Sequence, residues 1–103
     1  MAETKLIRDK IPQIMEAAGK KCNYKKIETD KEYEKYLLVK LMEELDEFLT
    51  DLNVEELVDV MTVMKALLAV NGAPTTLSKI MTTYKKKAEE RGEFEERLIA
   101  TFD

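Results

Sequence analysis

Hydrophobic residues recur every three or four positions along the middle of this 103-residue chain. Thr29 and Glu32 form a capping-box pattern that opens a helix, and the periodicity predicts that this helix runs to about Leu52. Its apolar positions fall on one helical face. They are Leu38, Leu41, Met42, Leu45, Phe48, Leu49 and Leu52.

Proline, glycine and asparagine mark the other predicted elements. Asn53 is a favourable N-cap for a second long helix that ends at 71–72, and a short helix is expected over 12–18. A fourth helix is expected from about 75 to 91, and residues 20–29 read as an extended connector. We therefore predict one all-α domain over residues 1–103, with four helices in a bundle-like arrangement.

Composition narrows the class of protein. Hydrophobic residues make up 45% of the chain and charged residues 37%, which suits a globular domain with its own core. No apolar run is long enough for a membrane span, and no signal sequence is visible, so we expect a cytoplasmic protein. Cys22 has no partner for an internal disulfide, and the absence of histidine excludes catalysis by imidazole.

The net charge of −4 is unevenly distributed. Eight acids and no base lie between Glu43 and Asp59, so the rest of the chain carries an excess of four bases. No Lys or Arg occurs between Leu41 and Met64, and we expect this acidic segment to lack a local counter-charge. A concentrated acidic segment in an otherwise basic sequence calls for a physical reason.

Four of these acids form two pairs with helical spacing. Glu44 and Glu47 lie on one face of the first long helix, and Glu56 and Asp59 lie on one face of the second. The short connection predicts an antiparallel hairpin that sets Glu44 level with Asp59 and Glu47 level with Glu56. The four carboxylates should converge on a site for a divalent cation.

Two simpler interpretations stay open: Glu56 completes a capping box with Asn53, or the acids belong to a solvated face. Against them, the helix from Leu57 to Val70 is apolar almost all round, so it should be buried by this fold or by a partner chain. A charged Asp59 in that setting needs a partner or a cation. Oxygen ligands favour Mg²⁺, with Mn²⁺ as a substitute.

Basic side chains occur near both ends of the chain. A cation ringed by such residues suits a polyphosphate, although those at the end of the fourth helix also complement its dipole. We select as phosphate-binding candidates Arg8, Lys10, Lys87, Arg91 and Arg97. Nucleic-acid binding is not expected, because the net charge is negative and no aromatic-basic motif occurs.

Three motifs resemble the MazG-like all-α nucleotide pyrophosphohydrolases. Residues 43–59 resemble the EExxE…ExxD signature of this superfamily. Residues 5–12 resemble the KLVRDKIP start, and 87–97 the KAxxRGGFxxR close, of its phosphoribosyl-ATP pyrophosphohydrolase-like branch. The chain departs from that pattern in a short gap between the acidic pairs, in Thr62 where a Glu is frequent, and in Glu93 where a second Gly is usual.

The resemblance implies Mg²⁺-dependent cleavage between the α and β phosphates of a nucleoside triphosphate, which yields a monophosphate and pyrophosphate. It implies that Glu44, Glu47, Glu56 and Asp59 hold the metal and that Glu44 or Glu47 activates the attacking water. It also implies assembly as a homodimer or tetramer. The alternative function is a non-catalytic helical dimer that binds a nucleotide or a protein partner.

Overall fold

The structure is a computed structural model and describes residues 3–103. It contains four helices, α1 (Ile11–Ala17), α2 (Asp30–Asp51), α3 (Val54–Val70) and α4 (Leu77–Arg91), and the described residues contain no strand. The predicted all-α class is confirmed. The four helices occur where they were predicted, with ends that differ by one or two residues.

Side-chain caps begin three of these helices. The side-chain oxygens of Thr29, Asn53 and Thr76 each accept a hydrogen bond from the backbone N–H three residues later, at 3.2, 2.9 and 3.2 Å. Each such cap contributes about 1 kcal/mol, because it satisfies a donor that the helix itself leaves free. The beginnings of α2, α3 and α4 are therefore set by local sequence.

A two-residue connection reverses the chain between α2 and α3. Leu52 adopts a left-handed conformation with a φ of 47°, and its N–H donates to the carbonyl of Phe48 at 2.7 Å. This conformation costs a residue with a Cβ about 1–2 kcal/mol. Asn53 follows at once as the cap of α3, so α3 returns along α2 as the predicted hairpin.

Only α2 and α3 pack against each other among the helices of residues 3–103. The apolar residues buried between elements are Leu37 on α2 and Val60 and Val63 on α3. The predicted apolar face of α2 is mostly not buried in this chain. Its exposed members are Leu38, Met42, Leu45, Leu49 and Leu52. The apolar side chains of α2 extend beyond the surface that α3 covers. A second apolar face of α2 therefore stays exposed.

The chain has an extended shape, 54 Å along its longest axis. Its radius of gyration is 17.7 Å, against about 13 Å expected for a compact domain of this length. Helix α4 contacts none of the other helices in the described part of the chain and buries no residue. None of the helices described is both long and apolar enough to cross a membrane.

The chain before α1 lies against the hairpin, and we call residues 5–9 the N-terminal strap. Leu6 and Ile7 are half-buried. Lys5 pairs with Glu43 on α2 at 3.6 Å, and Arg8 reaches Asp59 on α3. The strap therefore contacts both helices of the hairpin and closes one side of the groove between them.

Candidate metal centre

Three carboxylates from the two hairpin helices meet in one place, and we call them the carboxylate triad. Glu44 comes from α2, and Glu56 and Asp59 come from α3. One ligand oxygen from each lies within 4.8 Å of those of the other two. Residues 56 and 59 share a helical face through their spacing of three, and the antiparallel packing brings Glu44 to that face.

The triad is short of hydrogen-bond donors. Glu44 is only 7% exposed, which makes it the one buried charged residue in the described part of the chain. One oxygen of Glu44 and one of Glu56, the Oε2 atom in each case, are buried without a hydrogen-bond partner. Buried carboxylate oxygens without partners are costly and rare in native proteins. A bound cation would satisfy both atoms at once.

Glu47 lies beside the triad and is exposed. The negative charge of Glu44 raises the pKa of Glu47 above its ordinary value, with further contributions from desolvation, a hydrogen bond to Glu44 and the charge of Glu56. Burial raises the pKa of Glu56, and the charge of Asp59 adds to this effect. Three of the four predicted ligands thus form the triad, and the fourth interacts with it electrostatically.

Asn53 accepts the N–H of Glu56, as the capping interpretation expects, but the side chain of Glu56 belongs to the triad. The backbone N–H of Glu56 takes part in the cap at the start of α3, and the carboxylate of Glu56 takes part in the triad. The two interpretations of Glu56 therefore describe different atoms of one residue.

Two basic side chains reach the triad, so the expectation that the acidic segment lacks a local counter-charge is wrong. The Nζ of Lys40 lies 3.3 Å from Oε1 of Glu44, and one Nη of Arg8 donates to Oδ1 of Asp59 at 2.5 Å. The same Nη lies 3.5 Å from the hydroxyl of Thr62.

Sequence analysis missed Lys40 because it lies one position outside the base-free segment. Its spacing of four from Glu44 is a signal that would have found it, since such residues are neighbours on a helix. Arg8, which was predicted to contact phosphate, pairs with Asp59, 51 positions away. No local pattern predicts a contact at that separation.

The other four predicted phosphate-binding residues lie elsewhere. Lys10 immediately precedes α1 without a side-chain capping bond, Lys87 is exposed on α4, Arg91 ends α4, and Arg97 lies in the tail with a φ of 61°. All four are exposed, and none of them lines the cavity into which Glu44, Asp59 and Arg8 open. The structure thus brings only Arg8 of this set to the triad.

The donor set of the triad consists of carboxylate oxygens alone. Such a set suits a hard divalent cation such as Mg²⁺ or Mn²⁺, which keeps water molecules in its remaining positions. Zinc sites in proteins use nitrogen and sulfur ligands, and the chain has no histidine to supply one. The triad therefore fits a cation that also binds phosphate oxygens.

A scan of protein-family models found none that matches this chain, and searches of curated proteins and of solved structures found no match either. The likeness to the nucleotide pyrophosphohydrolases thus depends on the sequence motifs. The chemistry of the site follows from its own residues: a partly buried carboxylate triad, with Glu47 at its edge and two basic side chains in contact with it.

Proposed function

We propose that the protein is a divalent-cation-dependent nucleotide pyrophosphohydrolase, which cleaves a nucleoside triphosphate between its α and β phosphates. The observation that carries the proposal is the carboxylate triad with its two buried, unpartnered oxygens. An acidic cluster alone is common on helical surfaces. Buried oxygens without donors are not, and they favour a cation as the missing partner. The position of the cleaved bond follows from the motif resemblance.

Glu44, Glu56 and Asp59 would hold Mg²⁺, or Mn²⁺ in its place, and the charge of Glu47 adds to the negative potential at the site. When bound, the cation supplies charge neutralisation for the phosphate oxygens and orients them. Arg8 and Lys40 add two positive charges beside the same site. Their positive charges would neutralise the negative charge of those phosphate oxygens that the cation does not bind.

Glu47 is the better candidate for the residue that accepts the proton of the attacking water. Glu44, the other predicted candidate, is buried in the triad and paired with Lys40, whereas Glu47 is exposed one helical turn away. The water oxygen bonds to one phosphorus of the α–β bridge, and the bond from that phosphorus to the bridging oxygen breaks. The monophosphate and pyrophosphate separate, and the water proton passes to Glu47.

The proposal includes assembly with a second copy of the chain. The exposed members of the predicted apolar face of α2 are spaced alternately by four and three, which is the pattern of a helix that packs along another helix. Helix α3 has a similar exposed row, formed by Val54, Leu57, Met64 and Leu68. Two hairpins joined along these rows would complete a four-helix bundle.

The surface area supports this assembly. The chain exposes 9666 Å², roughly 3,700 Å² more than a compact monomer of 11.9 kDa is expected to expose. Obligate homodimers bury about 2,000–5,000 Å² in total. Sedimentation should therefore give a dimer or tetramer for the natural chain, and Leu45→Glu should reduce its mass while Lys31→Glu on the polar face does not. A monomer at all concentrations would refute the assembly.

The activity is tested by the release of pyrophosphate from a panel of nucleoside triphosphates with Mg²⁺ or Mn²⁺. Glu47→Gln should lower the rate by about 100-fold or more if the residue accepts the proton, and Asp59→Asn should do so through loss of the cation. Glu89→Gln on α4 is the control and should retain full activity. Failure of the natural protein to release pyrophosphate from any member of the panel refutes the proposed activity.

The ion pairs of the triad favour one alternative, a non-catalytic helical dimer that binds a nucleotide or a protein partner. Lys40 and Arg8 already supply two positive charges to the cluster, so it has partial compensation without a cation. Calorimetry that detects nucleotide binding with no turnover would support this alternative, and turnover would exclude it.

A further inference from the structure

A cavity of about 270 Å³ lies between the N-terminal strap and the two hairpin helices. Glu44 and Asp59 of the triad form part of its wall, so the candidate metal centre opens into it. Leu37 and Val63, both buried, also line it. The hairpin therefore packs tightly beneath this cavity and still leaves the space above open.

The chemical character of the wall changes along the cavity. On α2 the lining residues are Tyr33, Leu37, Lys40 and Glu44, whose spacings of four, three and four place them on one face over about three helical turns. From the triad outward this face is first acidic, then basic at Lys40, and then apolar and aromatic.

Helix α3 also changes from acidic at the triad to apolar, in the opposite chain direction and without a basic residue. Asp59 lies at the triad, Thr62 and Val63 follow one turn later, and Ala66 follows a turn after them. Because α2 and α3 are antiparallel and Glu44 meets Asp59 at the triad, Ala66 falls about level with Leu37, one helical turn from Tyr33. Alanine leaves open a space that a larger side chain at this position would fill.

A neighbouring cavity of about 450 Å³ lacks this order. It lies on the other side of the strap, holds none of the triad residues, and is lined by charges of both signs, including Lys35, Glu32 and Glu43. Of these two cavities, the smaller one alone joins an acidic end at the triad to an apolar end.

We propose that the apolar end of the smaller cavity, around Tyr33 and Ala66, binds the base of the nucleotide whose phosphates lie at the triad. This inference rests on the proposed function for the phosphate end and adds a subsite for the rest of the substrate. A nucleotide has the same order of chemical groups as the cavity wall: anionic phosphates at one end and a flat, largely apolar ring at the other. The ring of Tyr33 offers a surface on which any base can stack.

In this placement Tyr33 and Ala66 determine the affinity for the base. The phosphates are bound by the triad, Arg8 and Lys40. A nucleotide and inorganic tripolyphosphate should therefore differ in affinity, since tripolyphosphate lacks the base and the sugar. The size of that difference should depend on the two residues at the apolar end.

The test measures calorimetric affinities in the presence of Mn²⁺ for α,β-methylene nucleoside triphosphates of the common bases and for inorganic tripolyphosphate. The natural protein should bind the best nucleotide about tenfold or more tightly than tripolyphosphate. Ala66→Phe fills the apolar end and should lower nucleotide affinity to the level of tripolyphosphate. Affinities for tripolyphosphate and for Mn²⁺ alone should stay within about twofold.

Ala73→Phe, in the connection between α3 and α4, is the matched control and should bind like the natural protein. Tyr33→Leu is the second variant, which keeps an apolar side chain and removes the ring. It should weaken nucleotide binding several-fold without a change for tripolyphosphate. If circular dichroism shows that Ala66→Phe does not fold, Tyr33→Leu decides the question.

The inference is overturned if the natural protein binds tripolyphosphate as tightly as every nucleotide, or if each folded variant keeps the natural nucleotide affinity. Failure of the proposed function is a different result, namely no binding of Mn²⁺ and no release of pyrophosphate. Nucleotide binding that depends on Tyr33 and Ala66 but occurs without turnover would sustain the subsite and refute the activity.

Discussion

The α2–α3 hairpin and helix α4 are both well-formed helical regions, but within residues 3–103 only the hairpin helices pack against another helix. The hairpin buries Leu37, Val60 and Val63 and is crossed by the N-terminal strap. Helix α4 is capped by Thr76 and ends before Gly92, but it leaves Leu77 and other apolar residues exposed.

This difference separates the formation of a helix from its packing. A 15-residue helix is marginal in water by itself, and most helical stability in proteins comes from burial of an apolar face. The hairpin supplies that burial internally and also positions the carboxylate triad. Helix α4 has the sequence signals of a helix, but none of the other helices described covers its apolar residues. It needs a further surface to pack against, which agrees with the proposed assembly with a second copy.

Truncation of the hairpin core should produce the largest effect on stability. Leu37 is 2% exposed, and Leu37→Ala should cost about 2–5 kcal/mol of unfolding free energy, because it removes buried contacts and leaves a cavity. Leu98→Ala in the exposed tail is the control and should change stability by less than about 0.5 kcal/mol. Urea unfolding measures both, and equal effects would contradict the contrast between the two regions.

Divalent cations should stabilise the protein through the hairpin alone. Mn²⁺ at 100 times its dissociation constant should add about 2.7 kcal/mol, since it binds the folded state only. Asp59→Asn should abolish the rise in melting temperature, whereas Glu90→Gln on α4 should retain it. The same rise in Asp59→Asn would mean that the cation binds elsewhere.

Removal of the Arg8 side chain should tighten cation binding modestly. Arg8 pairs with Asp59, so a cation has to compete with its guanidinium for that oxygen. The pair is partly exposed and is worth about 0.2–1 kcal/mol, which predicts a gain in Mn²⁺ affinity of up to about fivefold in Arg8→Gln. Lys85→Gln removes a positive charge from α4 and should leave the calorimetric affinity unchanged. Weaker binding in Arg8→Gln would exclude competition.

The smallest effect on stability is expected at a bond between the middle of α4 and the segment after it, where the hydroxyl of Tyr84 donates to a carboxylate oxygen of Glu93. This bond and the charge of Glu93 raise the pKa of Tyr84 above its ordinary value. The stability that the bond supplies is therefore present below the ordinary tyrosine pKa of about 10 and is lost as pH rises through the raised value.

Tyr84→Phe should accordingly remove a late phenol ionisation from an absorbance titration, and Glu93→Gln should move that ionisation to lower pH. Persistence of the late step in Tyr84→Phe would show that the bond to Glu93 does not form in solution. Neither substitution should alter Mn²⁺ binding, because α4 contributes nothing to the triad in its own chain.

Sequence analysis predicted the elements well because helix signals are short-range. The caps at Thr29 and Asn53 act over three residues, and the hydrophobic period that marks α2 and α3 repeats within one turn. The same short range made three of the four predicted metal ligands converge: Glu56 and Asp59 are three apart, and the short link at Leu52 sets their height against Glu44.

Other predictions failed or stayed untested because they depended on how elements pack. The apolar face of α2 was identified correctly as apolar, but Leu37 and Glu44 are the residues of α2 that become buried. Periodicity reports how much apolar surface a helix carries and not which partner covers which part of it. The phosphate contacts predicted for Lys87 and Arg91 likewise require a surface that α4 does not meet in this chain.

The sequence by itself determined that this protein is helical, where its helices begin and end, and that its acids form paired rows on two of them. Only the tertiary structure decided that Arg8 meets Asp59 and that the triad opens into a cavity with an apolar end at Tyr33. The physical reason is range: capping and periodicity act within a few residues, whereas ion pairs and cavities depend on the path of the whole chain.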